Sequence, residues 1–242
     1  EIETYEKEKD VLLAWTRMIQ REDPDIVIGY NIFGFDYKFM IERAEELGCK
    51  AKFLQLGRLM GEQSRVIDSS IKIASGTHDL KYIKMEGRIQ IDLYNHFRRE
   101  INLPSYKLDS VASHFIGDMI KDITNIDDKT LIKSKNLMGL KNGHYICFKI
   151  SKYSTNYYKN GKKFIVSDVN AKEGTFYIDS KIKVNKGYTV KWCMKKDDVT
   201  PEEMFNANTP VKRAKVAKYC IQDCNLVHIL FIKNDIYTEF DQ

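Results

Sequence analysis

Residues 23–48 constrain the fold of this chain more tightly than any other stretch. Asp23-Pro24 ends whatever helix precedes it, because the residue before a proline is pushed out of the α region. Asp25-Ile26-Val27-Ile28-Gly29-Tyr30 is then a short β-branched run bounded by turn signals, the pattern of a buried parallel-type strand. Helical spacing resumes over 35–47 and stops at Gly48, a good C-cap residue. Upstream, Val11, Leu12, Trp15, Met18 and Ile19 also fall at helical spacing. This α-β-α order predicts a helix-covered sheet with its site at the carboxyl end of the strand.

Beyond that unit, 64–85 reads as two strands around Ser75-Gly76-Thr77-His78-Asp79, a hairpin with a polar tip. Residues 87–92 form another predicted strand, 93–101 a helix, and 108–116 a short helix closed by Gly117. The texture then changes. Tyrosine and lysine become frequent, and Asn160-Gly161, flanked by Tyr157-Tyr158 and Phe164-Ile165-Val166, is a hairpin signal. Further strands are expected at 143–151, 174–178 and 188–194. Thr200-Pro201-Glu202-Glu203 and Thr209-Pro210 each start a helix with a threonine N-cap and proline at the first position. The second of these helices is expected to run to about Phe240, with Val216, Cys220, Asp223, Val227 and Leu230 along one face. The expected organisation is an α/β core at 1–121, an inserted β-rich basic subdomain at 122–200, and the core continued at 201–242.

Charge supports that division. Residues 121–198 hold 17 lysines, no arginine and 8 acids, a surplus of nine positive charges, whereas the remainder is net negative by four. A basic segment on an acidic body suits a protein that meets a polyanion on one face and metal ions on another. A solvated lysine-rich surface explains the charge equally well. No apolar run approaches the roughly 20 residues that cross a bilayer, and the acidic start lacks a signal-peptide core, so no membrane partner and an intracellular location are expected. Five scattered cysteines without a CxxC pair fit reduced thiols better than disulfides or zinc. Cys220 and Cys224 share a helix face, where small packing residues are the plain reading. The five histidines form no ligand-spaced cluster.

Two short acidic motifs remain. In Gly29-Tyr30-Asn31-Ile32-Phe33-Gly34-Phe35-Asp36, Asp36 opens the helix after the strand, Gly34 permits a tight turn, Asn31 can bond a sugar or phosphate oxygen, and Phe35 offers a face for a base. In Tyr219-Cys220-Ile221-Gln222-Asp223, the phenol and the carboxylate are four residues apart and leave the same helix face. Such a phenol can orient an attacking water beside a metal-bound carboxylate. Taken singly, Asp36 is better explained by a helix dipole, and Tyr219 by a buried bond to Asp223.

Together and in this order, the motifs resemble the 3′–5′ exonuclease domain of family B DNA polymerases, a ribonuclease H-like fold. Asn31 to Asp36 is similar to that family's second exonuclease motif, and Tyr219 to Asp223 to its third. The flank from Thr4 to Leu12, the run Asp23 to Asn31, and Gly87-Arg88-Ile89-Gln90-Ile91-Asp92-Leu93 resemble the delta-type replicative enzymes. The hairpin lies where the family carries one implicated in moving the primer strand. The basic insert and Lys196-Asp197-Asp198-Val199-Thr200-Pro201 look most like polymerases of large DNA viruses. The resemblance implies catalytic roles for Asp36, Tyr219 and Asp223, with Asp36 and Asp223 ligating two Mg2+ or Mn2+ ions that share one pocket. It gives Asn31 and Phe35 to the terminal nucleotide. The implied partners are the single-stranded 3′ end of primer DNA, the rest of a polymerase chain and a sliding clamp, in the nucleus or at a viral replication site. The family's first motif, an Asp and a Glu two apart on an earlier strand, has no counterpart; Glu1-Ile2-Glu3 has the spacing but abuts the wrong element and begins with Glu. Nothing resembles the polymerase palm motifs. The expectation is therefore a very weak nuclease or none from these residues alone. A non-catalytic DNA-binding scaffold is the rival reading, which the joint presence of Asp36, Tyr219 and Asp223 disfavours. A stand-alone exonuclease fits the hairpin and the delta-like flanks poorly.

Overall fold

Asp23 does end the first helix. In the computed structural model, which describes residues 3–59, 61–73, 76–196 and 199–236, α1 (Glu8–Glu22) stops at Asp23 in the left-handed region (φ 44°), whose N–H donates to the Ile19 carbonyl. Glu1-Ile2, Ser75 and Asp197-Asp198 of the sequence motifs lie outside the described residues. The chain divides into two units, Glu1–Leu103 and Pro104–Gln242.

In the first unit, β1 (Ile26–Gly29) leads through a π-helical turn (Ile32–Asp36) into α2 (Tyr37–Glu46) and the short α3 (Lys50–Phe53). A long antiparallel hairpin follows, β2 (Arg65–Ile73) and β3 (Gly76–Lys84). The chain then returns as β4 (Ile89–Asp92), parallel to β1 with Gly29 opposite Asp92, and continues into α4 (Leu93–Glu100). Leu12 and Ile19 of α1, Tyr37, Ile41 and Ala44 of α2, and Phe53, Ile83 and Met85 form its core. Each fully buried side chain of this kind contributes about 1.5–3 kcal/mol. Arg88 fastens the entry to both parallel strands: buried, it donates to the carbonyls of Leu56 and Pro24 and to Asp23 Oδ1. This is the mixed α/β core expected of a ribonuclease H-like exonuclease domain. The hairpin differs in one respect. Thr77, His78 and Asp79, expected at the tip, belong to the β3 ladder, which keeps register from Arg65↔Lys84 to Ile73↔Gly76.

The second unit is built on a barrel. After α5 (Leu108–Phe115) come β5 (Gly117–Ile126), β6 (Lys129–Ser134), β7 (Tyr145–Ser151), β8 (Thr155–Tyr157), β9 (Phe164–Asn170), β10 (Thr175–Ile178) and β11 (Thr189–Lys195). The pairings run β11-β5-β6-β10-β9-β7 and return from β7 to β11, which closes the ring and removes its edges. Ile132, Ile146, Phe148, Phe164, Phe176 and Trp192 are buried. The Trp192 indole N–H donates to Ser134 Oγ at 3.0 Å, and that hydroxyl donates on to the Met119 carbonyl, so both polar groups are satisfied. The chain then forms α6 (Pro201–Phe205), capped by Thr200 as expected and with Glu203 completing a capping box, and α7 (Pro210–Lys233).

Three features of this unit depart from expectation. Gly117 does not close a helix but begins β5, and a Cβ there would sit 2.1 Å from the Trp192 carbonyl, so only glycine lets β11 approach. Asn160-Gly161 turns the chain without joining two paired strands. Tyr158 is buried close to Phe148 and Phe164, and β8 and β9 each pair with β7 instead. α7 ends at Lys233, where Asn234 caps it and Asp235 turns left-handed (φ 55°). α5 packs with the barrel strand β11 and with α7, and the Ser113 hydroxyl donates to the Met194 carbonyl.

Candidate active site

In the first unit, everything is organised by Asp92 at the carboxyl end of β4. Its side chain caps α4 by accepting from Tyr94 N, and it also accepts from Asn31 N (2.7 Å), Phe33 N (3.1 Å) and Asn95 Nδ2 (3.1 Å). These bonds hold the turn after β1 in place. Asn31 is left-handed (φ 63°), and its Oδ1 lies where a Cβ on residue 34 would be, 2.4 Å away. A side chain at residue 34 would have to displace the Asn31 amide, so Gly34 leaves that amide in place. The turn leaves Phe35 63% exposed and nearly parallel to Phe39, ring centroids 6.4 Å apart, an aromatic surface open to solvent.

Asp36 closes the π-helical turn. Its carboxylate reaches solvent, yet partial desolvation by the packed turn raises its proton affinity, opposed by its own N–H. Asp92 is raised as well, first by burial and further by the charge of Asp36, against the pull of its backbone donors. The buried Tyr37 hydroxyl, which has no hydrogen-bond partner among the described residues, is held protonated by burial and then by Asp92 and Asp36. These three groups therefore share one local field. Beside them is an open cleft of about 750 Å³ between Phe33, Gly34 and Lys38 and the hairpin residues Ser69, Ser70 and Leu80.

In the second unit, the buried stripe of α7 is Gln222, Leu226, Val227 and Leu230, with Tyr219 and Asp223 half-buried beside it. Cys220, expected on that face, is exposed, as is Cys224. Lys196 completes the group. Its Nζ donates to Asp223 Oδ2 at 2.7 Å and lies 4.3 Å from the centre of the Tyr219 ring, a cation–π distance. Burial works to lower the proton affinity of Lys196, but Asp223 and Tyr219 outweigh it and keep the ammonium charged. Asp109 of α5 pins the backbone here, accepting from Lys196 N (2.9 Å) and from Lys195 Nζ (2.5 Å). Asp223 Oδ1 is buried and has no partner among the described residues. A buried carboxylate oxygen left unpaired is costly and is suited to a hard cation with oxygen ligands.

Asn31, Phe35 and Asp36 thus share one turn of the first unit, and Tyr219 and Asp223 share one helical turn of the second. Sequence reading overlooked Asp92 and Lys196. Asp92 stood in a readable position, an aspartate immediately before a predicted helix. Lys196 had no signal beyond its charge, because its approach to α7 depends on the barrel. Among the described residues no cluster of three or more His, Cys, Asp or Glu side chains has metal-site geometry. The donors present are carboxylate oxygens, which fit Mg2+ or Mn2+ rather than a soft metal. No helix among the described residues is long and apolar enough to cross a membrane.

Residues 1–111 match the DNA polymerase family B exonuclease domain. The chain is 42% identical over 247 residues to the DNA polymerase of Phaeocystis pouchetii virus, an alignment covering 96% of this chain and 24% of that protein. It is 39% identical over 238 residues to the DNA polymerase of Pyramimonas orientalis virus, covering 97% and 18%. It is 41% identical over 124 residues to the DNA polymerase delta catalytic subunit of Oryza sativa subsp. japonica, covering 51% and 11%. The chain therefore spans less than a quarter of each relative. With the parallel pair β1–β4, the Asn31–Asp36 turn and the Tyr219–Asp223 helix turn in view, these likenesses converge: the chain belongs to the family B DNA polymerases, in the region of their exonuclease domain, and is similar to both delta-type and large-DNA-virus members.

Proposed function

We propose that this chain serves the 3′–5′ proofreading exonuclease of a family B DNA polymerase, removing nucleotides from an unpaired primer 3′ end at the site of DNA replication. Asp36 and Asp223 are the metal ligands in this reading. Bound Mg2+ or Mn2+ would activate water and stabilise the leaving 3′ oxygen. Tyr219 orients the water through its phenol. Asn31 and Phe35 hold the terminal nucleotide, the exposed Phe35 ring by stacking on its base. Lys196 keeps a positive charge against Asp223 and Tyr219, where it attracts the scissile phosphate and offsets charge developing on it. Asp92 acts indirectly, by fixing the turn that carries Asn31, Phe35 and Asp36. Selectivity for errors follows from the lower cost of fraying a mismatched end.

The observation that carries this reading is Asp223: one carboxylate oxygen is paired with an ammonium and the other is buried without a partner among the described residues. The test is done in the polymerase that contains these residues. Asp36→Ala and Asp223→Ala should each abolish trimming of a mismatched primer while nucleotide addition continues. Trimming that survives both substitutions supports a scaffold that only grips DNA and rejects the proposal. Loss of both activities also rejects it.

A further inference from the structure

The barrel presents a basic and aromatic face that the exonuclease reading does not use. From Lys129 to Ser167 the chain has nine lysines and no acid. On the outer surface of the ribbon β11-β7-β8, Lys191 stands directly opposite Lys149, and Lys149 directly opposite Tyr157. Like charges placed across a strand pair destabilise a sheet. Neither lysine has a carboxylate partner among the described residues, and Lys191 reaches only the His114 carbonyl, at 3.5 Å. His114 is disfavoured as a cation by burial and then by Lys149 and Lys191, so three basic groups face one another. At the neighbouring end of the ribbon, Tyr153 is 95% exposed, and Tyr157 and Tyr188 are also exposed. Lys152 Nζ lies 5.4 Å from the Tyr153 ring and 5.7 Å from the Tyr188 ring, and Lys149 Nζ lies 5.2 Å from the Tyr157 ring.

The geometry points to a second nucleic-acid surface on the barrel, on which an unpaired DNA strand lays its phosphates along Lys149, Lys152 and Lys191 and stacks its bases on Tyr153, Tyr157 and Tyr188. The argument is charge complementarity combined with stacking. A cation row without counter-charge needs a polyanion, and exposed rings alternating with those cations match bases alternating with phosphates. A duplex or an acidic protein would use the lysines but leave the rings idle. The surface stands apart from the nuclease reading, since it involves none of its residues.

The test is fluorescence anisotropy with the 242-residue chain and a 5′-labelled oligothymidylate of about 20 nucleotides, long enough for more than one stacking site. EDTA is present, so failure here leaves the metal-dependent nuclease reading untouched. Tyr153→Ala and Tyr157→Ala should each weaken binding roughly 5- to 100-fold, and Tyr153→Phe should restore it. Lys149→Gln and Lys191→Gln should each lower the slope of log affinity against log salt by about 0.7, whereas Lys9→Gln on α1 should not. Tyr153 and Tyr157 are exposed, and Lys149 and Lys191 are half-buried without a carboxylate partner among the described residues, so the variants should keep the parent melting temperature. Equal affinity for a duplex of the same length, tyrosine variants that bind as the parent does, or lysine variants with an unchanged slope would each overturn the proposal.

Discussion

Replacing Asp92 by alanine removes the acceptor of four hydrogen bonds at once, from Asn31 N, Phe33 N, Tyr94 N and Asn95 Nδ2. Each backbone donor left unpaired costs about 1–3 kcal/mol when buried, and loss of a helix N-cap costs about 1 kcal/mol. Asn31 and Phe33 are half-buried, so water can reach part of what is lost and the low end applies. The sum is then about 3 kcal/mol, concentrated on the turn after β1, which corresponds to roughly a 100-fold rise in local opening. Amide hydrogen exchange read by mass spectrometry on peptides spanning 29–37 should show that loss of protection, while peptides from α7 stay as in the parent. Asp92→Asn keeps one acceptor oxygen and should fall between the two. Trimming activity of the intact polymerase should drop with the turn, since Asn31, Phe35 and Asp36 ride on it. If exchange over 29–37 in Asp92→Ala stays within threefold of the parent, Asp92 does not hold the turn and the reasoning fails.

Two further outcomes follow from the same interactions. Lys196→Met leaves Asp223 without its ammonium and should destabilise the second unit by about 1–3 kcal/mol, visible as a lower denaturant midpoint followed through the buried Trp192, while Lys196→Arg restores most of it. At acid pH, Asp23 is the group to watch: Arg58 and then Arg88 hold its carboxyl below the usual aspartate range. Its contribution is therefore complete above the unfolded value of about 3.9 and is lost as pH falls through the lower folded value. Asp23→Asn should flatten the fall in melting temperature between about pH 4 and pH 2, and a slope equal to the parent's would remove Asp23 from the account.

What could be read from the residues was local. Asp23-Pro24, the Ile26–Gly29 run and Gly48 each impose their effect within a few positions, and the α-β-α unit came out as expected. Thr200 and Thr209 did the same for the last two helices. The barrel's closure was not legible, because β7 meets β11 across some forty residues and no periodicity encodes a ring. The β5–β6 hairpin was missed for a related reason: its turn is Asp127-Asp128, with Asp127 left-handed (φ 47°) in place of a glycine. At the proposed site, Asn31, Phe35, Asp36, Tyr219 and Asp223 come from two motifs. Their supports do not. Asp92 acts through backbone donors 59 and 61 positions away, and Lys196 reaches α7 from the end of a barrel strand.

The most direct test of the central claim is a Mn2+ titration of the polymerase that contains these residues, followed by electron paramagnetic resonance. The account predicts bound Mn2+ that weakens in Asp36→Ala and again in Asp223→Ala, with Asp68→Asn on the hairpin unaffected. Mn2+ binding indifferent to both aspartates, or none at all, would contradict it.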